Sequence, residues 1–395
     1  MKIKLATIGV LVILQVTAWA STETVLWNFG GSGDGRAPTG NLIVDSSGNF
    51  YGVTLLGGAH DIGTVFELSP NGDGGWTETV LYSFGSQNGD GIQPTSGLVM
   101  DSKGNLYGTT EFGGANQTGT VFELSPASGG GWTETVIYTF GPQGKGDGAY
   151  PASDLALDAQ GNMFGTTFAG GAIGEGTLYE LSPSSSGWTE TVLHSFPSSR
   201  RDGASPKTGV LVGKIQSHLY GSTSSGAIYR LWFNSGRWVE KKIHDNGGEQ
   251  IGGDLVRDRN LNIYGASNNV GANGTGTVWE MVYHPNQIRS FSLLYSFGAD
   301  GSGDGTFPQS GVIVGANGTV YGTTGFGGTN NDGIVFSLTK SQNNQWKETI
   351  LYSFTGGNDG GGPVGQMIQD KQGNLYGIGF TGGAHGGGVV FEITP

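Results

Sequence analysis

The chain has 395 residues, a formal net charge of −13 and no cysteine. Its acidic balance argues against nucleic acid, whose phosphates need a basic footprint, and the missing cysteines exclude disulfides and thiolate metal sites. Gly and Pro, 77 and 13 residues, reach a share typical of low-complexity chains. Here the glycines instead fall at fixed places between Val/Leu/Ile/Phe/Tyr runs that alternate as strands do.

Residues 1–20 read as an export leader. Lys2 and Lys4 form a charged start, Leu5 to Val16 an apolar stretch, and Ala18-Trp19-Ala20 a small-x-small cleavage site. The apolar stretch is too short to span a bilayer, and no later segment approaches the ~20 apolar residues a spanning helix needs. The mature chain, 21–395, is therefore expected to be secreted or periplasmic, without a membrane span. Lacking disulfides, it must rest on its core, which at this length can be large.

From there a unit recurs seven times, centred on Tyr51, Tyr107, Phe164, Tyr220, Tyr264, Tyr321 and Tyr376, each followed by Gly. The second unit shows its parts in order. Gly97 to Asp101 is a short apolar run, Ser102 to Asn105 a turn, and Leu106 to Thr110 a second run. A Gly113-Gly114 loop leads to a third run, Thr120 to Leu124, and Trp132 to Phe140 is the longest. β-Branched and aromatic enrichment bounded by Gly, Pro, Asn and Asp marks each as a strand. Seven such units predict an all-β fold, a seven-bladed β-propeller with four antiparallel strands per blade. The chain ends are complementary as well. Thr22 to Phe29 copies a fourth strand, whereas the C-terminus stops at a third strand, Val390 to Ile393. Pairing the two would close the last blade with the N-terminal strand and hide an exposed edge.

The unit G-x-L-x-x-D-x-x-G-N-L-Y-G-T-T…G-G…G-T-V-F-E-L…W-T-E-T-V-L-Y-S-F resembles the GloVer (Gloeo-Verruco) tandem-repeat family of exported bacterial proteins. The resemblance covers essentially the whole mature chain and is strong in six units. It implies a secreted repeat protein and brings no established activity or catalytic residue.

Strand direction puts the Gly-Gly loops and the segments between blades on one face, the default binding surface. The inter-blade segments carry a recurring Asp-Gly-x-x-Pro that begins at Asp34, Asp90, Asp147, Asp202, Asp304 and Asp359. A ring of carboxylates is chemistry suited to Ca²⁺, which takes 6–8 oxygen ligands, or to sugar hydroxyls. The competing reading, favoured by six-fold recurrence, is turn chemistry, with Asp bonding nearby N–H groups. No cofactor is required by either. The recurring Trp76, Trp132, Trp188, Trp238 and Trp346 are expected to pack between blades more than to stack on sugars. Glu67, Glu123, Glu180, Glu280 and Glu392 are expected to bond neighbouring threonines, since rotation around the ring does not pair equivalent acids for glycoside cleavage.

The repeat breaks in the fourth unit. Tyr220 and Tyr264 are 44 residues apart, against 55 to 57 elsewhere, and both deletions fall on the Gly-Gly face, predicting a notch there. Ten of the 19 basic residues lie between Arg200 and Arg259. Arg200, Arg201 and Lys207, on the loop entering the fourth blade, are candidate contacts for an anionic ligand or partner; the alternative is a decayed repeat with solvated charges. Without a catalytic signature, the leading expectation is a non-catalytic secreted propeller binding an extracellular glycan or protein. The alternatives are a polysaccharide-acting enzyme with acids drawn from several blades around the central channel, and a structural surface protein.

Overall fold

The Tyr-Gly pair lies on the second strand of every blade, and its glycine is a steric requirement. In the computed structural model a Cβ on Gly52 would stand 2.6 Å from Phe66 Cζ of the third strand. The same holds at Gly108 over Phe122, Gly165 over Tyr179, Gly221 over Tyr229, Gly265 over Trp279, Gly322 over Phe336 and Gly377 over Phe391. Each of these rings is fully buried. Six of them meet the Phe that closes the fourth strand of the preceding blade, edge-on or tilted, at 4.9–5.1 Å between centroids: Phe29–Phe66, Phe84–Phe122, Phe140–Tyr179, Phe196–Tyr229, Phe297–Phe336 and Phe354–Phe391. Such contacts add about 0.5–1.5 kcal/mol each beyond the area they bury. At the remaining junction the sequence has Asn246 where the Phe would stand, and the larger Trp279 fills the third-strand position beside Phe291.

The structure describes residues 21–142, 146–151, 153–197, 203–213, 218–245, 251–284, 290–298 and 303–395. The leader, 1–20, lies outside them. Among the described residues there is no helix, and none is long and apolar enough to cross a membrane. Seven antiparallel sheets form a ring, a seven-bladed β-propeller with four strands per blade. Blade 1 comprises Gly35–Val44, Phe50–Gly57, Thr64–Pro70 and Trp76–Ser83, from the central channel outward. Blade 7 is Gly361–Gln369, Leu375–Thr381 and Val389–Thr394, completed by Thr22–Asn28 from the other end of the chain. That closure runs from Thr22 against Thr394 to Asn28 against Val389.

Five of the turns between first and second strands use one device. Asp45 accepts hydrogen bonds from the Ser47 and Asn49 amides (2.8 and 2.9 Å) and from the Asn49 side chain (2.9 Å). Asp101, Asp158, Asp258 and Asp370 repeat it. This is an Asx turn, so the D-x-x-G-N motif is a backbone instruction.

One boundary differs from the sequence expectation. The Asp-Gly-x-x-Pro segment does more than link blades; it forms the upper part of the innermost strand, with Gly35 opposite Gly57, Gly91 opposite Gly113, Gly148 opposite Gly170 and Gly305 opposite Gly327. A bulge between Thr39 and Ile43 then interrupts the ladder before the strand resumes. The short apolar run read as the whole first strand is only its lower part.

Two predictions follow from this packing. Gly322→Ala, which pushes a methyl against the Phe336 ring, is expected to cost about 1–3 kcal/mol, measured by denaturant unfolding. Tyr179 and Tyr229 stand where four other blades carry Phe, and their buried hydroxyls have no hydrogen-bond partner. Tyr179→Phe removes an unsatisfied group at constant shape and is expected to stabilise by about 1 kcal/mol, read as a raised melting midpoint.

Candidate functional site

The bulge carries the innermost residues to the channel axis. Taken at one register position in successive blades, they are Asn41, Gly97, Asp154, Gly209, Asp254, Gly311 and Gln366. Side chains alternate with glycine because each carboxylate reaches over to the preceding blade's glycine. Asp154 Oδ1 accepts the Gly97 amide at 2.5 Å, and Asp254 Oδ1 accepts that of Gly209. A Cβ on Gly97 would lie 2.6 Å from Asp154 Oδ2, and one on Gly209 2.9 Å from Asp254 Oδ1. Asn41 joins the two acids: its Nδ2 donates to Asp154 Oδ2 at 2.5 Å and to Asp254 Oδ2 at 3.2 Å. Its Oδ1 accepts the Gln366 amide at 2.5 Å, which fixes the orientation of the side-chain amide.

Above this floor, on the Gly-Gly side, lies a cavity of about 260 Å³. Thr39, Thr95, Ser153, Thr208, Ser310 and Asn268 give it a hydroxyl- and amide-rich wall, and Lys207 supplies a cation. Deep enclosure pushes both floor carboxyls up from the ordinary Asp value, and at Asp154 the Asp254 charge adds to it. Two acids that repel in this way favour holding a proton between them. Their hydrogen bonds to one Asn41 nitrogen place those two oxygens within about 6 Å of each other, close to the spacing of a retaining glycosidase pair.

In the Gly-Gly loops and the Asp-Gly-x-x-Pro segments the side chains of Phe112, Phe168, Phe307, Phe326 and Phe380 are each more than a third exposed, with Tyr150 half-buried. Phe112 packs on Tyr150 (5.5 Å) and Phe307 on Phe326 (6.0 Å). Tyr150 and Phe307 occupy the residue before the proline of Asp-Gly-x-x-Pro, and both adopt left-handed backbone (φ 58° and 56°). Ala37, Gln93 and Ser205 do the same at the equivalent position. Non-glycine residues resist this region; here the amide of each donates to a carbonyl of the preceding blade's loop, Tyr150 to Thr118 at 2.8 Å and Phe307 to Thr275 at 2.7 Å. The strain thus serves to staple blades.

The Asp-Gly-x-x-Pro aspartates are occupied in the turns. Asp90 Oδ2 accepts Tyr82 Oη and the Gly85 and Ser86 amides, while Oδ1 accepts the Gly91 amide. Asp147 and Asp304 repeat the pattern with Tyr138 and Tyr295. Asp359 bonds Tyr352 and Thr355, and Asp34 bonds Trp27 and the Gly35 amide. Asp202, like Arg200 and Arg201, lies outside the described residues. Among the described residues no three of His, Asp or Glu gather in a metal-holding arrangement.

Of the basic candidates, Lys207 reaches the site: it lines the cavity, with its Nζ 5.2 Å from the Phe168 ring centroid. Other described members of the basic run lie elsewhere. Arg230 stacks on Trp232 at 4.6 Å, and Arg237, Lys241 and Lys242 sit on the outermost strand of blade 4, where Lys242 pairs with Asp245. The shortened blade 4 loop is a tight turn, Gly226 donating to the Thr223 carbonyl at 3.0 Å. Trp132 and Trp188 pack across blades on Tyr51 and Tyr107, as expected. The third-strand glutamates differ from expectation: Glu67, Glu123 and Glu180 accept from the serine two residues on, and Glu280 and Glu392 from the Tyr of the Tyr-Gly pair. Serine at that position, rather than threonine, is the residue whose hydroxyl lies on the same strand face.

Sequence reading missed the floor acids. Their signal was present in the alternation Asn/Gly/Asp/Gly/Asp/Gly/Gln, visible once the repeats are stacked in register. It also missed a set of fourth-strand acids set against the turn aspartates. Glu23, Glu134 and Glu190 are pushed up to about 7 by burial and then by the charge of Asp359, Asp90 and Asp147. Glu78 rises to about 8 beside Asp34.

In sequence the chain matches the Gloeobacter/Verrucomicrobia repeat over residues 9–232 and 224–395, and it belongs to that family. No curated protein matches it. Among solved structures it is similar to an ancestral GH74 enzyme (TM-score 0.61, 11% identity, 90% of this chain and 48% of that one). It is likewise similar to the extracellular domain of a hybrid two-component system from B. thetaiotaomicron (0.56, 12%, 93% and 41%). A protein described as a 6-phosphogluconolactonase from Bacteroides uniformis gives 0.51 at 12% identity, over 78% and 83%. The chain spans under half the length of the first two. These likenesses concern the fold.

The raised glutamates set a pH dependence. A carboxyl whose folded pKa lies above its unfolded value stabilises fully below about 4.5 and loses that contribution as pH rises through 7 to 8. The melting midpoint is expected to fall between pH 5 and 8.5. Glu134→Gln should flatten that fall and raise the midpoint at pH 8.5, followed by calorimetry across the series.

Proposed function

We propose that the protein is an exported, non-catalytic propeller that binds an extracellular glycan at the Gly-Gly face. The observation that carries this reading is a polar, hydroxyl-lined cavity together with exposed aromatic rings on the loops of the same face. Sugar rings present an apolar face to an indole or phenyl ring and hydroxyls to fixed donors and acceptors. The cavity volume suits one sugar unit, leaving the neighbouring units of a chain to lie across that face. Lys207 would favour an anionic unit at the mouth. The leader-like segment at 1–20 supports export, and an acidic surface suits a role away from nucleic acid.

The test is a polysaccharide array with the mature protein, followed by titration of any positive. Phe307→Ala/Phe326→Ala is expected to weaken binding by about five- to 150-fold, since two stacked rings contribute about 1–3 kcal/mol together. Unchanged affinity in that variant would remove the funnel from the reading. One observation favours a second reading: the Asp154 and Asp254 carboxyls bond one Asn41 nitrogen, within about 6 Å of each other, and burial raises the pKa of both. Their main-chain hydrogen bonds weigh against it, because both acids are already committed to holding the blades. Shortening of a bound polysaccharide on long incubation, abolished in Asp154→Asn, would establish the enzyme instead.

A further inference from the structure

A second cavity, of about 590 Å³, opens where the two chain ends meet, between the outer strands of blades 7 and 1. Trp27, Asp34, Trp76, Glu78 and His385 line it. The equivalent junction one blade on shows why it exists. There Tyr82 bonds Asp90, and Gln87 sits on the Glu134 carboxyl, closing the junction. At the seam the segment between the closing Phe and the Asp is one residue shorter and reads Gly30-Gly31-Ser32-Gly33, so no side chain replaces Gln87. Trp27 stands in for Tyr82, its indole N–H donating to Asp34 Oδ2 at 3.3 Å. Glu78 Oε1, like Oε1 of Glu23, Glu134 and Glu190, is shielded from bulk water without a hydrogen-bond partner; what differs at the seam is the cavity beside it, with no counterpart of the Gln87 amide on the carboxyl. His385 is exposed on the facing loop, which is anchored by the Gly387 amide on the Phe29 carbonyl (3.2 Å) and the Ala384 amide on Asn28 Oδ1 (2.7 Å).

We infer that this seam is a second carbohydrate subsite, taking a single sugar ring whose apolar face lies on indole and whose neighbouring hydroxyls bond Asp34 and Glu78. The two carboxyls are close enough to interact directly, and burial with the Asp34 charge keeps Glu78 protonated near neutral pH. Asp34 and Glu78 are hydrogen-bonded to each other, and Asp34 also accepts from the Gly35 amide and the Trp27 indole; the lone pairs left on the two carboxyls are acceptors for two adjacent hydroxyls. His385 adds a group able to donate or accept from the opposite wall. Nothing in the funnel takes part, so the site stands independently of the funnel reading.

The experiment uses the full mature chain carrying Phe307→Ala/Phe326→Ala and a panel of methyl glycosides of common hexoses and N-acetylhexosamines. Saturation-transfer NMR measures binding. At least one glycoside is expected to bind this funnel-disabled protein, and adding Glu78→Gln should weaken it at least tenfold. His385→Ala, on an exposed loop and safe for folding, should weaken it by a smaller factor of two to five. No glycoside bound, or equal binding with and without both seam substitutions, overturns the subsite. Binding confined to tetramethylammonium or Ca²⁺ and absent for every glycoside would also overturn it, since it would mark a cation site.

Discussion

The contact on which the ring depends is an aromatic side chain laid across a glycine. A third-strand ring can drop onto its own second strand because the Tyr-Gly glycine has no Cβ, and from there it reaches the Phe of the preceding blade. Each blade thereby buries its centre against the next, and no blade has a core of its own. The arrangement is quasi-one-dimensional, as in other repeat proteins, but closed, so the last interface must match the first. Thr22–Asn28 satisfies that demand, since Phe29 follows it and meets Phe66 as every other closing Phe meets its ring. A second lock runs along the rim. The proline of Asp-Gly-x-x-Pro sits against a glycine of the preceding blade, Pro94 on Gly63 and Pro151 on Gly119, where a Cβ would approach Cδ to 2.5 Å.

The channel floor follows from the number of blades. A pattern that alternates side chain and glycine closes on itself only for an even count. With seven blades two side chains must become neighbours, and these are Gln366 and Asn41. The Gln366 amide then turns the Asn41 carboxamide so that its N–H groups face both acids. The odd blade count thus explains why one polar residue serves as the common donor for two carboxyls. The result is a satisfied, rigid base beneath the cavity, and the price of two enclosed acids is a raised proton affinity.

How much of this was legible from residues alone divides along the same line. The blade count, the four strands and the N-terminal closure were readable because each is dictated by contacts that recur, and recurrence is visible in one sequence. Trp132 and Trp188 packing on the preceding Tyr belongs to this class. The floor was missed, because its signal is an alternation of polar residues with glycine rather than one recurring residue, and Asp154 and Asp254 join across 100 residues of chain. The aspartates of Asp-Gly-x-x-Pro drew attention by repetition, yet repetition is what backbone turns produce, and their oxygens hold tyrosine hydroxyls and amides. Ten clustered basic residues suggested one patch. Among the described residues, Lys207 lies at the cavity while Arg237, Lys241 and Lys242 lie on the outermost strand of blade 4.

Rule and exception therefore do different work in this molecule. Where packing demands one shape, all seven blades supply it, as the seven Tyr-Gly glycines do. The two residues before the Gly-Gly loops are under no such demand, and they vary freely: Leu55-Leu56, Glu111-Phe112, Phe168-Ala169, Gly325-Phe326 and Phe380-Thr381. Variation on a fixed scaffold is how repeat folds build an asymmetric binding surface. Large apolar rings placed at freely varying, exposed positions gain nothing for the fold, since burying them is what would stabilise it. Their placement on that face is the feature on which the glycan-binding proposal rests.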